Sequence, residues 1–494
     1  MILENQSSVS IPFRPRGSAG LKTLKKQLGV SKKEDLLALA PNNDPFNYDT
    51  EAKKRDAEWF AERWQASGFT EQTGVHLRKL HYRLVAKGEN TVPLPRSVTF
   101  EDENGEKGST DFYANYDAVW NYLAAAGAQA RYWGLVPPEA FVDRRNPPPT
   151  LNARPFWTQA PEWAAQDCPR WTVPTIRAEL EPMDWRIPGV DLSGYDYDSG
   201  CQPYLIEVWC EKSTIDDVLE PLCRRFGANY ITAKGFQSIT AALNILDRAK
   251  AAGKPARIFF ISDFDPAGDQ MPVATARQIE FWFEQFDPGV EVKVEALALT
   301  IEQVQEHDLP PGPIKPTDKR AKKFLERYGL KGAVEVDALA DEVLKPGVLK
   351  RLVETALKPY RDPDLYDRLW DAEQEAKARC VAALAPIREQ AREDLERIES
   401  AVQEIWSGYQ GRLETLAQDL AQDLAPMQKE LDVLRYWVGL QFDDLEIELP
   451  ERPEAEIDPP DESRWLFDSN RDYVEQLGHY QARRNGAADE EVGQ

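Results

Sequence analysis

Residues 257–271 read RIFFISDFDPAGDQM, and the change of character after Ile261 decides the fold. The apolar run is strand-length and passes straight into Asp263-x-Asp265-x-x-Gly268, as a buried strand does when it stops at a loop. Side chains two apart in extended chain face the same way, so Asp263 and Asp265 can present both carboxylates at the strand's carboxyl edge. Gly268 lets the chain turn tightly into a following helix, AGDQMPVATARQIEFWFEQF. Outward from this point the pattern repeats. Upstream lie strand PYLIEVWC, helix STIDDVLEPLCRRFG, strand NYITAK and helix FQSITAALNILDRAKAAG, and downstream lies strand VEVKVEALAL. Strands alternating with helices of this length predict a mainly parallel sheet covered on both faces. This strand, continued as YLIEVWCEKS, ends in Glu211, which a parallel neighbour sets beside the two aspartates. Three hard oxygen donors at one edge suit Mg2+, which takes carboxylates and waters in preference to imidazole or thiolate. The plainer readings are a helix cap followed by a solvated loop, with Glu207 as the competing acid.

A chain of 494 residues is long enough for two or three cores. We expect a multidomain α/β protein: an N-terminal basic arm and helix (1–69), a helical module (70–146), a Pro- and Trp-rich connector (147–200), the α/β domain and its extension (201–365), a long helical region (366–442) and an acidic tail (443–494). In the long region, apolar residues recur in steps of three and four from Leu384 to Leu434, the stripe of a coiled coil, and Gly408 and Gly411 can fold it into a hairpin. The tail, with sixteen acidic and five basic residues, reads as partly disordered, a solubilising end or an autoinhibitory mimic of DNA, with WLFDSNRDYVEQLGHY at best a short docking helix. It carries −11 of the net charge of −24. That balance argues against a nucleic-acid partner, but the basic clusters at Lys22, Lys25 and Lys26 and at Lys319, Arg320 and Lys322 are local exceptions. No apolar run reaches the roughly 20 residues of a membrane span and the first residues lack a signal peptide's hydrophobic stretch, so the expectation is cytoplasmic, nucleoid-associated. The five cysteines form no C-x-x-C pair and no P-loop is present.

In the 70–146 module, VHLRKLHYRLVAKG precedes a turn-rich segment and the helix NYDAVWNYLAAAGAQARYWG, an order that suits a winged helix. Arg78-x-x-His81-Tyr82 resembles the R-x-x-Y-Y segment of the topoisomerase VI A subunit and the related meiotic double-strand-break proteins. The coupling of Glu211-Lys212, A-K-G-F at 233–236 and Asp263-x-Asp265 resembles the Toprim fold. The combined likeness covers about residues 70–360 and extends to the stand-alone A-type proteins of mobile elements. It implies a winged-helix (CAP-like) domain plus a Toprim domain, with Tyr82 as the nucleophile that cuts DNA, Arg78 beside it, and Glu211, Asp263 and Asp265 holding Mg2+. His81 stands where the family has its first tyrosine. The resemblance also implies double-stranded DNA as substrate, a homodimer in which one copy's tyrosine works with the other's metal, and a separate GHKL-type ATPase B subunit. Arg131, Lys234, Lys319 and Arg320 are the candidate DNA contacts.

A phenol with a pKa of about 10 is a poor nucleophile at neutral pH and needs cationic surroundings, which Arg78, one turn earlier, can supply. Tyr113, Tyr116 and Tyr122 are rival nucleophiles. Two other functions fit the same residues: a Toprim nuclease that hydrolyses DNA with activated water, leaving Tyr82 structural, and a non-catalytic DNA-binding subunit organised by the long helix.

Overall fold

The computed structural model describes residues 17–485 except 71–73, 89, 102–106, 143–146, 167–169, 174–182, 184–185, 233–237, 315–317, 319, 341–344 and 410–416. Two compact units result: Met1–Phe156, Gln202–Arg361 and Ile457–Gln494 form the first, and Trp157–Cys201 with Asp362–Glu456 the second.

The first unit begins with α1 (Gly17–Leu28), whose Leu21 and Leu24 are fully buried in the core of the main sheet. The expected basic arm is therefore corrected from Gly17 onward, because an apolar face every third or fourth residue is better buried than left in water. Helix α2 (Glu51–Ala66) is capped by Thr50, which accepts from the Lys53 N–H. It packs with α3 (Arg78–Val85), the antiparallel strands β1 (Pro93–Glu101) and β2 (Lys107–Phe112), and α4 (Asp117–Tyr132). Phe60, Trp64, Leu80, Leu84, Leu123 and Ala126 fill this separate core.

Strands β3 (Glu162–Ala165) and β4 (Val190–Ser193) belong to the second unit. The main sheet of the first unit then starts with β5 (Leu205–Cys210), α5 (Asp216–Phe226), β6 (Asn229–Thr232), α6 (Ile239–Ala252), β7 (Ala256–Ile261), α7 (Met271–Phe286) and β8 (Val292–Ala298). Strands β5 to β8 are parallel neighbours in the order β6-β5-β7-β8. Every residue of β5 and β7 is buried, which is why both are apolar on both faces apart from the paired Glu207 and Arg257. Short helices α8 (Ile301–Glu306), α9 (Ala321–Tyr328), α10 (Asp337–Ala340) and α11 (Val348–Leu357) follow, and Leu339, Leu349 and Val353 join the core on the face opposite α1.

The second unit is dominated by α12 (Leu365–Tyr409) and α13 (Ala417–Asp443). Arg397 meets Glu430 while Tyr409 meets Asp423, so the two helices run antiparallel as a hairpin. Leu384, Leu395, Ile398 and Val402 pack on Leu424, Leu431, Leu434 and Val438. Within the Pro- and Trp-rich stretch read as a connector, β3 pairs with β4, and Trp171 is buried in the hairpin core with its indole N–H on the Arg186 carbonyl. Its tryptophan supplies the apolar area that makes this loop-rich chain pack.

The largest departure is the tail. Strand β9 (Phe467–Asp468) adds antiparallel to β8 as the sheet's fifth strand, and α14 (Tyr473–Asn485) buries Tyr473, Leu477 and Tyr480 among Leu36, Phe46 and Trp282. Glu462 pairs with Arg257 and, at 2.6 Å, with Lys293, while the Tyr473 hydroxyl takes an Arg277 N–H at 2.6 Å and donates to the Leu36 carbonyl at 2.8 Å. Leu466, Phe467, Tyr473, Leu477 and Tyr480 thus belong to the core on the α1 face of the sheet, and Trp465 to the core on its other face. No helix among the described residues is long and apolar enough to cross a membrane.

Candidate functional site

The carboxyl edge of β5 and β7 collects the acidic residues. Parallel pairing sets Cys210 beside Ile261, and the Glu211 N–H continues the ladder onto the Ile261 carbonyl at 3.0 Å. Two residues past the end of β7, the Asp263 N–H points at Glu211 Oε2, 3.4 Å away. Asp263 is almost fully buried. Its Oδ1 accepts from the Val336 N–H at 2.9 Å and its Oδ2 pairs with Lys212 Nζ at 3.1 Å. The loop beyond is fixed by Asp265, whose Oδ1 accepts from the N–H groups of Ala267 at 2.7 Å and Gly268 at 2.6 Å. Gly268 is required for closeness: a Cβ there would lie 2.0 Å from the Asp263 carbonyl oxygen. Phe264 exchanges backbone hydrogen bonds with Val334, pinning residues 333–336 beside the loop.

Electrostatics tie the three acids together. Burial, followed by repulsion from Asp263 and Asp265, pushes the Glu211 carboxyl up to about 7. Asp263 is also raised, by burial. Lys212 answers part of this charge, holding Asp337 at 2.7 Å and Glu335 at 3.1 Å as well as Asp263. Burial opposes its charge, but these hydrogen bonds, Asp337 first and Asp263 next, keep its ammonium above the ordinary value. Lys212 belongs to the motif already read from the sequence, whereas Glu335 and Asp337 join the cluster only in the structure. The signal available was Lys212 directly after the strand-terminal acid and the spacing of Glu335-x-Asp337, which only the return of residues 333–336 to the sheet edge makes meaningful.

Among the described residues, no set of three or more His, Cys, Asp and Glu side chains is gathered closely enough to enclose a metal ion. The acids line an edge and do not form a cage. A Mg2+ ion fits that donor chemistry, because it is usually held by one or two carboxylates with waters and phosphate oxygens completing the shell. The Glu211 carboxyl is raised by burial first and by the charges of Asp263 and Asp265 second, and a cation at this edge would oppose both. Glu207 is excluded from this role: it is fully buried on β5, its two oxygens taken by Arg248 at 2.7 and 2.8 Å, with Asn229 and Trp209 also donating.

Tyr82 lies on the outer face of α3 with 59% of its surface exposed. Arg78, one turn earlier, shares that face and lays its guanidinium 5.9 Å from the centre of the Trp120 ring. His81 points inward: one ring nitrogen meets the Tyr113 hydroxyl at 2.8 Å and the other Asn115 Oδ1 at 3.2 Å. Burial lowers its pKa, opposed by the Asn115 contact and aided by Arg78. Of the rival tyrosines, Tyr113 and Tyr122 are buried with their phenols pushed upward by burial, and Tyr116 stacks on Phe100 with ring centres 3.8 Å apart. The Tyr82 ring meets that of His81, with centres 5.2 Å apart, and is the most exposed of the four. The described hydrogen bonds do not join Tyr82 to the carboxylates of its own copy.

The candidate DNA contacts separate. Arg131 is corrected: it is buried, with its guanidinium over the Phe141 ring at 4.6 Å and an N–H on the Pro138 carbonyl at 3.4 Å. It sits in the last turn of α4 on a face that packs inward, so its charge supports the fold and does not reach out to phosphate. Arg320 is exposed and forms a two-pronged pair with Asp318 at 2.8 and 2.9 Å. Lys234 and Lys319 lie outside the described residues.

Compared with protein-family models the chain matches none, and comparison with curated proteins finds no match.

Proposed function

We propose that this chain is a Mg2+-dependent, DNA-cleaving enzyme that works by tyrosine transesterification, with 70–146 as a winged helix, 201–365 as a Toprim-type domain, and Tyr82, Glu211, Asp263 and Asp265 as its working residues. The observation that carries the reading is the placing of Glu211 and Asp263 at the carboxyl ends of two adjacent parallel strands, with Asp265 on the loop that follows, where open α/β sheets hold their ligands. The exposed phenol of Tyr82 beside Arg78 adds the second half.

In this reading the Tyr82 oxygen attacks phosphorus and the P–O bond to one deoxyribose breaks. A phosphotyrosine ester forms, and the phenolic proton ends on the released sugar hydroxyl, so the break can be resealed by the reverse step. Arg78 supplies positive potential to the developing phenolate. Glu211, Asp263 and Asp265 would hold the Mg2+, whose contribution is to offset charge on the phosphate oxygens. Lys212 and the Asp265 loop keep the acids at the strand ends. Duplex DNA is the substrate, and a second copy brings Tyr82 to the acids of its partner; a GHKL-type ATPase partner would be needed for strand passage.

Hydrolysis by an activated water is the second reading: the same carboxylates at the sheet edge would serve it, and Tyr82 would be structural. The test is to incubate the protein with duplex DNA and Mg2+, quench with denaturant, and look for DNA attached to protein. Wild type should be linked, and Tyr82→Phe and Asp263→Ala should not. Cut DNA free of protein, with Tyr82→Phe as active as wild type, would replace transesterification by hydrolysis; intact DNA throughout would remove both.

A further inference from the structure

The ammonium of Lys212 stands among three carboxylates that come from two distant parts of the chain. Asp263, just past the end of β7, has 10% of its side chain exposed; Asp337, at the start of α10, has 34%, and Glu335 has 69%. Lys212 therefore lies on a path from a buried acid to solvated ones, at 2.7 Å from Asp337 and 3.1 Å from each of the other two. Its flexible four-carbon stem can carry the charge between acceptors by rotation about its own bonds. Asp263 has a second anchor besides the lysine: its Oδ1 accepts from the Val336 N–H at 2.9 Å, and the paired backbones of Phe264 and Val334 hold that segment in place. The Thr214 hydroxyl also donates to Asp337. Residues 334–337 thus orient Asp263 through backbone and offer Lys212 two further acceptors through side chains. Glu211 and Asp265 add their negative charge to this edge, and Arg320, whose charge reaches Asp265, is held by Asp318.

We propose that Lys212 is an exchangeable counter-ion: it neutralises Asp263 until a divalent cation competes for that acid, and then withdraws onto Asp337 and Glu335. The inference rests on the reading that Glu211 and Asp263 hold a divalent ion, and it is independent of how DNA is cut. Asp263 Oδ2 is the oxygen at issue, because Oδ1 is committed to the Val336 N–H. An ammonium and a divalent ion on one carboxylate oxygen repel each other, and at a largely buried acid salt screens that repulsion less than it would in open water. Withdrawal is cheap only if the charge has somewhere to go. A lysine that leaves Asp263 keeps its charge-assisted hydrogen bond to Asp337 and its pairing with Glu335. Glu335 and Asp337 are thereby positioning residues. They set how readily Asp263 is released, and they act on the metal through Lys212.

The experiment titrates Mn2+, which takes the same oxygen donors as Mg2+, into the full chain without DNA and reads the free ion by electron paramagnetic resonance. Wild type should bind it and Asp263→Ala should not. Lys212→Met, and Lys212→Gln as a second variant, should tighten binding at least roughly 10-fold. Glu335→Gln with Asp337→Asn should weaken binding by about the same factor while Lys212 is present, because the ammonium is then left with Asp263 alone. In the Lys212→Met background the same pair should weaken it no more than roughly 3-fold, the share due to lost charge. Circular dichroism verifies that each variant is folded. Equal losses in the two backgrounds would make Glu335 and Asp337 metal ligands and overturn the exchange. A folded Lys212→Met that binds Mn2+ no more tightly than wild type overturns it too. If both Lys212 variants fail to fold, the Glu335→Gln, Asp337→Asn pair with Lys212 in place decides, and unchanged affinity refutes the exchange. Wild type that binds no Mn2+, or binds it equally well after Asp263→Ala, removes the metal reading and the exchange with it, whereas a failure confined to the Lys212, Glu335 and Asp337 variants removes the exchange alone.

Discussion

Gly268→Ala probes the loop on which the acidic edge depends. The added Cβ would lie 2.0 Å from the Asp263 carbonyl oxygen and 2.9 Å from its carbon, where real contacts begin near 3.0 Å. The obstacle is backbone, so a side chain cannot swing away; loop or strand end must move by about 1 Å in a close-packed interior. Overpacking of this kind costs about 1–3 kcal/mol or more. Alanine returns up to about 1 kcal/mol by restricting the unfolded chain. The net expectation is a loss of about 1–3 kcal/mol in urea unfolding of the first unit, with displacement of Asp265, whose Oδ1 is held by the Ala267 and Gly268 N–H groups. Gly478→Ala is the control, because that helical glycine has nothing within 4 Å of its Cβ position and should gain about 0.5–1 kcal/mol. Metal-dependent DNA cleavage should fall with Gly268→Ala and persist with Gly478→Ala. If Gly268→Ala unfolds at the wild-type urea concentration and remains fully active, the argument that the tight approach holds the acids in place is wrong.

Glu462→Gln strips a charge from buried Arg257 and Lys293. Because Glu291 still reaches both cations, the loss should be about 2–3 kcal/mol, below the 3–5 kcal/mol typical when a buried pair is broken, and an unchanged urea midpoint would show that the tail is not anchored there. Glu295 is raised to about 7, by burial first and Glu462 second. The folded state therefore holds its proton where the unfolded chain, titrating near 4.5, releases it. That contribution is fully present below about pH 4.5, declines as pH rises to about 7 and is absent above, with an upper limit of about 3 kcal/mol. Comparing Glu295→Gln with wild type by urea unfolding at both ends of this window, the wild type should lose more stability with rising pH; parallel curves would refute the assignment.

The sequence by itself determined what short-range periodicity controls. The apolar runs of β5 and β7, the acids at their ends and the three-and-four stripe of the hairpin follow from which side chains must leave water within a few residues of chain. Tertiary structure decided whatever depends on partners far away in sequence. Arg131 reads as an exposed cation until Phe141 and Pro138 close over it. Residues 457–485 read as a solvated acidic tail because the cations that neutralise Glu462 lie some 170 to 205 positions earlier, and because the pocket for Tyr473 and Tyr480 is built by α1, α7 and the segment around Phe46. Lys212 illustrates both sides: its place after Glu211 is visible in one dimension, but Asp337 and Glu335 reach it only after the chain has crossed the sheet and returned. Local composition fixes which groups need burial or neutralising; the fold supplies what buries and neutralises them.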